Sequence, residues 1–345
     1  MIKIGKRKIG YNFKPLIICE LGINHGGSLL VAKKIVNLAK RNGAEAIKNQ
    51  NHILNEEMIN EAKKVIPTNT NKSIYKVIEE NLMTLDDEKK LKRYVEKRGM
   101  IYLSTPFSLS SAIKLNRLGI KAFKIGSGEC NNIPLLEQIC SFKKPIILST
   151  GMNELKSIER SVKVLEKLKV KYALLHCKSE YPANINGLSL DFINVLKKKF
   201  PKSLIGYSDH TVGPTACISA MAKGACIIEK HFTDTKKRKG PDIICSMDPA
   251  ELSFLNKAAE EIFRSNGTKK KISKIEKITA KFAFSSVVSI SQINKGEKFT
   301  LKNIWVKRPG TGHYPAHKFY KILGKKSKRN IGKDKFITRK DVEKK

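Results

Sequence analysis

The sequence is poor in acid, in aromatics and in paired cysteine. Only 31 Asp and Glu face 68 Lys and Arg over 345 residues, a formal net charge of +37. That imbalance alone would suggest a nucleic acid or another polyanion as partner. Aromatics make up only 7 % of the chain, with one Trp, and they do not interleave with the lysines as a base-stacking surface requires. The lysines run along almost the whole sequence, denser at 269–281 and 325–345. They read as a solvated surface able to steer an anionic substrate, and no nucleic-acid partner is expected. The seven cysteines include no Cys-x-x-Cys pair, which leaves neither a disulfide framework nor a zinc finger. A reducing cytoplasm is the corresponding expectation. No uncharged apolar run approaches the roughly 18 residues that span a bilayer, and the basic N-terminal stretch is broken by Glu20 before it can resemble a signal peptide. A soluble protein without membrane insertion is expected.

What the chain does have is alternation. Eight short apolar or β-branched runs, at 16–20, 46–48, 100–104, 122–127, 145–150, 172–177, 204–209 and 226–231, are separated by segments of helical period. Helices are predicted over 29–42, 85–98, 108–118, 132–141, 154–168, 189–199, 214–223 and 250–264. Ser108 and the run Asp248-Pro249-Ala250-Glu251 mark helix starts, while Gly43, Gly99, Gly119 and Gly224 sit where a helix-ending residue is wanted. Eight strand–helix units point to an α/β protein built as a (β/α)8 TIM barrel, with an open doubly wound sheet as the alternative. Residues 1–15 read as a hairpin capping the barrel floor, 16–265 as the barrel, 266–281 as a polar linker and 282–345 as a small β-rich domain.

A barrel places its chemistry at the C-terminal ends of its strands. The polar residues of this sequence gather there: Glu20 on the first strand, Lys48 and Gln50 on the second, Ser104-Thr105-Pro106-Phe107 on the third. Lys124 leads into Gly126-Ser127-Gly128-Glu129 on the fourth, Ser149-Thr150 ends the fifth, and His176 to Tyr181 follow the sixth. Ser208-Asp209-His210 and Glu229-Lys230-His231 close the series. Two lysines beside small hydroxyl and glycine residues make an anion site, and a phosphorylated substrate is the direct inference. A Schiff-base lysine is the competing role for Lys48 or Lys124. His210 and His231, ending adjacent strands, could share a metal with open positions for substrate. Alternation along the last strand places Glu229 and His231 on one face and Lys230 on the other. Glu229 is therefore expected to orient His231 or the substrate, and Lys230 to be a bystander turned to the polar edge of the helices.

The series IICELGINHGG, STPFS, KIGSGECNN, ILSTGM, LLHCKSEYP, GYSDHT, EKHFTD, GPDIICSMDP and WVKRPGTG resembles the bacterial N-acetylneuraminate (sialic acid) synthases, in the same order and over nearly the whole chain. The resemblance implies a barrel joined to a C-terminal antifreeze-like (SAF, β-clip) domain, and condensation of phosphoenolpyruvate with N-acetylmannosamine. It implies a divalent metal, manganese first with magnesium or cobalt as substitutes, and a domain-swapped homodimer. It assigns Lys48, Thr105, Lys124, Ser127, Ser149 and Ser208 to phosphoenolpyruvate and His210 and His231 to the metal. Gln50, Tyr181, Asp242 and the partner copy's residue at position 308, an arginine (Arg308), would face the N-acetylated amino sugar. Glu20, Glu129 and Asp242 would serve as the catalytic carboxyls. The sequence departs from many relatives at Asn49, Ser179-Glu180, Ile243 and RPGTGHYPAH, which leaves the sugar less fixed than the reaction. N,N'-diacetyllegionaminate synthase, pseudaminate synthase and a non-catalytic binder of anionic polymers are the alternatives.

Overall fold

A small hairpin opens the chain. Strand β1 (Ile2–Ile4) pairs antiparallel with β2 (Arg7–Ile9), and alternation buries Ile2, Ile4 and Ile9 while Lys3 and Lys8 stay exposed. The computed structural model describes residues 1–267 and 269–343. Eight strand–helix units follow the hairpin: β3 (Leu16–Glu20), α1 (Leu29–Arg41), β4 (Ala46–Asn51), the short α2 (Leu54–Glu57) and α3 (Ile74–Glu80), then α4 (Leu85–Lys97). The chain continues through β5 (Ile101–Pro106), α5 (Leu109–Arg117), β6 (Phe123–Ile125), α6 (Ile133–Ser141), β7 (Ile146–Ser149) and α7 (Leu155–Lys167). It ends the barrel with β8 (Tyr172–Cys177), α8 (Phe192–Lys199), β9 (Leu204–Asp209), α9 (Thr215–Ala222), β10 (Ile227–His231) and α10 (Pro249–Ser265).

The eight strands β3 to β10 are parallel and close on themselves, because β10 pairs with β9 on one side and with β3 on the other. This is the (β/α)8 barrel, and the doubly wound alternative is excluded. Helix boundaries follow local chemistry: the side chains of Ser28, Thr84, Ser108 and Asn132 each accept a backbone N–H of the first turn. Helix α10 has a full capping box between Asp248 and Glu251, with Pro249 in its first turn.

Burial on both strand faces produces two cores. Outward side chains pack against the helices, in a layer that includes Ile17, Ile47, Tyr102, Phe123 and Ile228. Inward side chains of the lower half of the barrel, Leu16, Ile18, Ala46, Leu103, Ala122, Ile147, Leu204 and Ile227 among them, form a separate aliphatic plug with Ile2, Ile4 and Ile9 of the hairpin. Gly206 belongs to this crowded interior: a Cβ there would lie 2.4 Å from the Ile227 carbonyl oxygen and 2.5 Å from Leu175 Cδ2, so a side chain has no room.

The chain forms two compact units that meet at Asn266/Gly267 in the sequence. In the second unit α11 (Lys274–Ala283) precedes an antiparallel pair, β11 (Ser286–Ser289) and β12 (Ile304–Lys307), around a core that includes Val287, Phe299, Ile304, Phe319 and Ile337. Helix α11 occupies residues that the sequence reads as a polar linker. Its start is a capping box of Ser273 and Glu276, a signal masked by the surrounding lysines. Ile275, Ile278 and Phe282, spaced for one helical face, are exposed. Among the described residues no helix is long and apolar enough to cross a membrane.

Candidate active site

The alternation that fills the barrel floor with aliphatic groups continues upward into ionisable ones. Along β3 the inward row is Leu16, Ile18, Glu20; along β4 it is Ala46, Lys48, Gln50; along β10 it is Ile227, Glu229, His231. Register then sets the neighbours, pairing Glu20 with Lys48, Ser208 with Glu229 and His231 with Glu20 across adjacent strands.

Lys48 Nζ lies 2.9 Å from Glu20 Oε2 and 3.3 Å from Glu229 Oε1, and Thr105 Oγ1 is 3.5 Å away. Lys124 Nζ lies 3.3 Å from the same Glu229 oxygen and donates to Ser149 Oγ at 2.8 Å, while Ser208 Oγ donates to Glu229 Oε1 at 3.2 Å. Two buried ammonium groups thus share one carboxylate. Burial raises the Glu229 carboxyl, but Lys124 and Lys48 outweigh it and hold the group below its usual range. Lys48 is pulled down to about 8, first by burial and then by the charge of Lys124, against the opposing pull of Glu229. The expected anion site is therefore a cluster in which Lys48 and Lys124 are balanced by Glu20 and Glu229, and an anionic ligand would compete with those carboxylates for the two ammonium groups. Ser127 Oγ, which accepts from the Gly151 N–H at 3.0 Å, borders the same cavity of about 650 Å³.

Glu229 does not orient His231. It forms no bond with His231 and instead bridges the two lysines. Lys230 departs from its expected role: it is wholly buried on the outer side of the strands, where Nζ donates to Asp209 Oδ2 at 2.6 Å and to the Thr211 carbonyl at 2.6 Å. It is no bystander at a polar edge. Lys230 and Asp209 are direct cross-strand partners, and Thr211 also donates to Asp209 through its N–H and its hydroxyl, so this pair holds the backbone on both sides of His210.

The imidazoles of His210 and His231 are neighbours with centroids 5.6 Å apart, and the Tyr181 ring lies tilted by 34° against His210 at 4.1 Å. His210 Nδ1 donates to the Lys178 carbonyl at 2.8 Å, so Nε2 offers a lone pair when the ring is neutral; burial lowers the ring, but Cys177 and the Lys178 carbonyl outweigh it and raise it above the usual histidine range. His231 Nδ1 is buried and has no hydrogen-bond partner, and Asp242 Oδ2 lies 3.6 Å from it. Burial foremost, reinforced by repulsion from His210 whenever that ring is protonated, holds His231 well below the usual histidine range, so it is neutral and its lone pair is available. These nitrogens suit a divalent cation. Among the described residues no group of three His, Cys, Asp or Glu is arranged around such an ion, so two imidazoles would be its ligands with the other positions left to substrate and water. Burial raises Asp242 to about 6, with His210 and Lys48 opposing.

Gln50, Tyr181, His231 and Asp242 line a second cavity of about 240 Å³ beside the first. Glu129 is half-buried at the rim, accepts from Asn132 Nδ2 at 2.5 Å, and is raised by burial and then by the charge of Glu57. Arg308 belongs to the second unit, where it follows β12 and is exposed. His176 is turned outward, its Nε2 donating to the Leu188 carbonyl at 2.7 Å. Sequence reasoning missed His52 and Glu57, which also line the larger cavity. The one signal for His52 was its place in the alternating row after Lys48 and Gln50.

A family model described as the NeuB family matches residues 35–271, and one described as the SAF domain matches residues 284–343. The chain is 40 % identical over 332 residues to an N,N'-diacetyllegionaminic acid synthase of Campylobacter jejuni, covering 94 % of this chain and 99 % of that one. It is 30 % identical to an N-acetylneuraminate-9-phosphate synthase of Homo sapiens, covering 93 % and 90 %. The crystal structure of an N-acetylneuraminic acid (sialic acid) synthetase from Leptospira borgpetersenii, in complex with citrate, superposes with a TM-score of 0.74 at 33 % identity, covering 81 % of this chain and 95 % of that one. Barrel, strand-end cluster and small β domain thus converge, and the chain belongs to the NeuB family and carries a C-terminal SAF domain.

Proposed function

We propose that the chain condenses phosphoenolpyruvate with N-acetylmannosamine to give N-acetylneuraminate and phosphate. The observation that carries this reading is the convergence of Lys48, Lys124 and three hydroxyl groups with a neighbouring histidine pair in one mouth. Lys48, Lys124, Thr105, Ser127, Ser149 and Ser208 hold the phosphate and carboxylate of phosphoenolpyruvate. Gln50, Tyr181 and Asp242 hold the open-chain sugar with its C1 aldehyde toward C3 of the enol. The new carbon–carbon bond joins those two atoms, the aldehyde oxygen gains a proton to become a hydroxyl, and water adds at C2. Loss of phosphate then leaves the C2 ketone. A divalent metal bound at His210 and His231, manganese first, would polarise the aldehyde. Asp242, raised to about 6, can both give and take a proton near neutral pH and is the leading proton carrier, with Glu20 and Glu129 as the others.

The 40 % identity to a diacetyllegionaminic acid synthase supports a second reading, in which a diacetamido sugar is the acceptor. Phosphate release from phosphoenolpyruvate with manganese, measured with each sugar, separates the two. Release with N-acetylmannosamine at the higher kcat/KM supports the first reading, and preference for the diacetamido sugar supports the second. No release with any acceptor would leave a binding protein. His231→Ala should abolish metal-dependent release, and normal turnover in that variant would overturn the metal assignment. The working form is taken to be a cytoplasmic, domain-swapped homodimer, a reading supported by the exposed apolar face of α11 and by the exposure of Arg308. A monomer in solution with full activity would contradict it.

A further inference from the structure

The Gln50 amide can turn either of two ends to the sugar, and its neighbours decide which. His52 follows Gln50 by two positions, and its ring stacks on Phe107 with centroids 4.2 Å apart and planes 11° from parallel. His52 Nδ1 lies 2.9 Å and 3.2 Å from the two carboxylate oxygens of Glu57, and Nε2 lies 3.1 Å from Gln50 Oε1. Both ring nitrogens therefore face oxygen, which only accepts.

Two arrangements of hydrogen satisfy these contacts. In one, both ring nitrogens carry hydrogen, Gln50 Oε1 accepts from Nε2, and the amide NH2 points into the cavity. In the other, only Nδ1 carries hydrogen, the amide turns end for end to donate to the bare Nε2, and its carbonyl faces the cavity. Charge separates them. The Glu57 side chain is 5 % exposed, and among the described residues its ion-pair partner is His52. Glu129, on the loop after β6, adds a second carboxylate close enough to act on Glu57. Phe107 brings no charge, and His25, from the loop after β3, is held neutral by burial, down to about 4. The structure has the first arrangement: Nδ1 meets both Glu57 oxygens, Nε2 meets the Gln50 amide oxygen, and the two carboxylates of this wall suit a ring that donates on both sides.

We propose that the Glu57–His52 pair sets the polarity of Gln50: His52 donates to Gln50 Oε1, and the amide NH2 is presented to the acceptor sugar, selecting a substituent with a carbonyl or hydroxyl oxygen at that point. His52 and Glu57 are positioning residues, since they act through Gln50. The inference rests on the reading of this cavity as the site of condensation onto an amino sugar.

Histidine-specific ¹⁵N labelling, with the His52 signal assigned by its loss in His52→Gln, reads the ring hydrogens directly. The expected result is a hydrogen on Nε2 as well as on Nδ1 in the wild-type chain and a bare Nε2 in Glu57→Gln. The same substitution should raise the KM for the acceptor about tenfold, the worth of one hydrogen bond, and leave the KM for phosphoenolpyruvate unchanged, which also shows that the variant is folded. The double variant Glu57→Gln/Gln50→Leu should bind the acceptor no worse than Gln50→Leu alone. A bare Nε2 in the wild-type ring, or additive losses in the double variant, would overturn the inference while leaving the function intact. Absence of turnover with every acceptor would instead remove the functional reading, and the ring spectrum would still decide the hydrogen arrangement.

Discussion

The floor and the mouth of the barrel are built from the same strands, one pleat apart, and they use opposite chemistry. At the floor Ile18, Ala46, Leu103 and Ile227 meet the hairpin isoleucines in an aliphatic plug with no polar side chain among them. Two residues further on, Glu20, Lys48, Thr105 and Glu229 form a buried charged cluster. Alternation explains how one strand can serve both, since every second residue faces the lumen whatever its polarity. Stability is therefore concentrated in the lower layer, and the upper layer gives some of it up. Buried ion pairs are seldom worth more than well-packed aliphatic groups of the same size, whereas they are what an anionic substrate requires.

Exchanging the chemistry of the two layers tests this contrast most severely. A charge placed in the plug has neither partner nor water, so Leu103→Lys should cost several kcal/mol and leave little folded protein, as read by thermal denaturation. A smaller effect of opposite sign is expected when the mouth is made to look like the floor. Replacing a buried pair by apolar groups is neutral or stabilising by about 1–4 kcal/mol, so Glu20→Leu with Lys48→Met should hold or raise the melting temperature while phosphate release disappears. Lys48→Met alone leaves Glu20 uncompensated and should instead lose about 3–5 kcal/mol.

The smallest test needs no substitution. Lys48 is held at about 8 in the folded chain against 10.5 for the free side chain. Between those values the unfolded lysine carries a proton that the folded one has shed, so the contribution of Lys48 to stability rises with pH over that window. Its charge, and with it the proposed hold on phosphate, is lost over the same range. The KM for phosphoenolpyruvate should therefore climb as pH rises through 8, without a parallel fall in the denaturation midpoint of the substrate-free protein.

Much of this was legible in the sequence because barrels repeat one grammar. Each apolar run became a strand, and Lys48, Lys124, Thr105, Ser149, Ser208 and the two neighbouring histidines all reach the mouth. What escaped depends on register or on loops. Alternation correctly turned Lys230 away from Glu229 and His231, yet only the pairing of β9 with β10 shows that Asp209 waits for it there. His52 was hidden because it lies one residue beyond the end of β4, and Glu57 because it sits in the four-residue helix that follows. Helix α11 was hidden by charge: its lysines dominate a composition reading, while its apolar residues show only as a face.

The closure of the barrel also places a seam through the site. Glu20 and His231 are cross-strand partners although they belong to the first and last strands of the barrel, separated by nearly its whole length of chain. A ribosome must therefore release β10 before Lys48, Glu20 and Glu229 can assemble or the second imidazole can arrive. A nascent or truncated chain would hold Lys48 and Lys124 without the carboxylate that both share. Such a chain would pair Lys48 with Glu20 but leave Lys124 without its carboxylate, so the charge cluster is completed only when β10 closes the barrel.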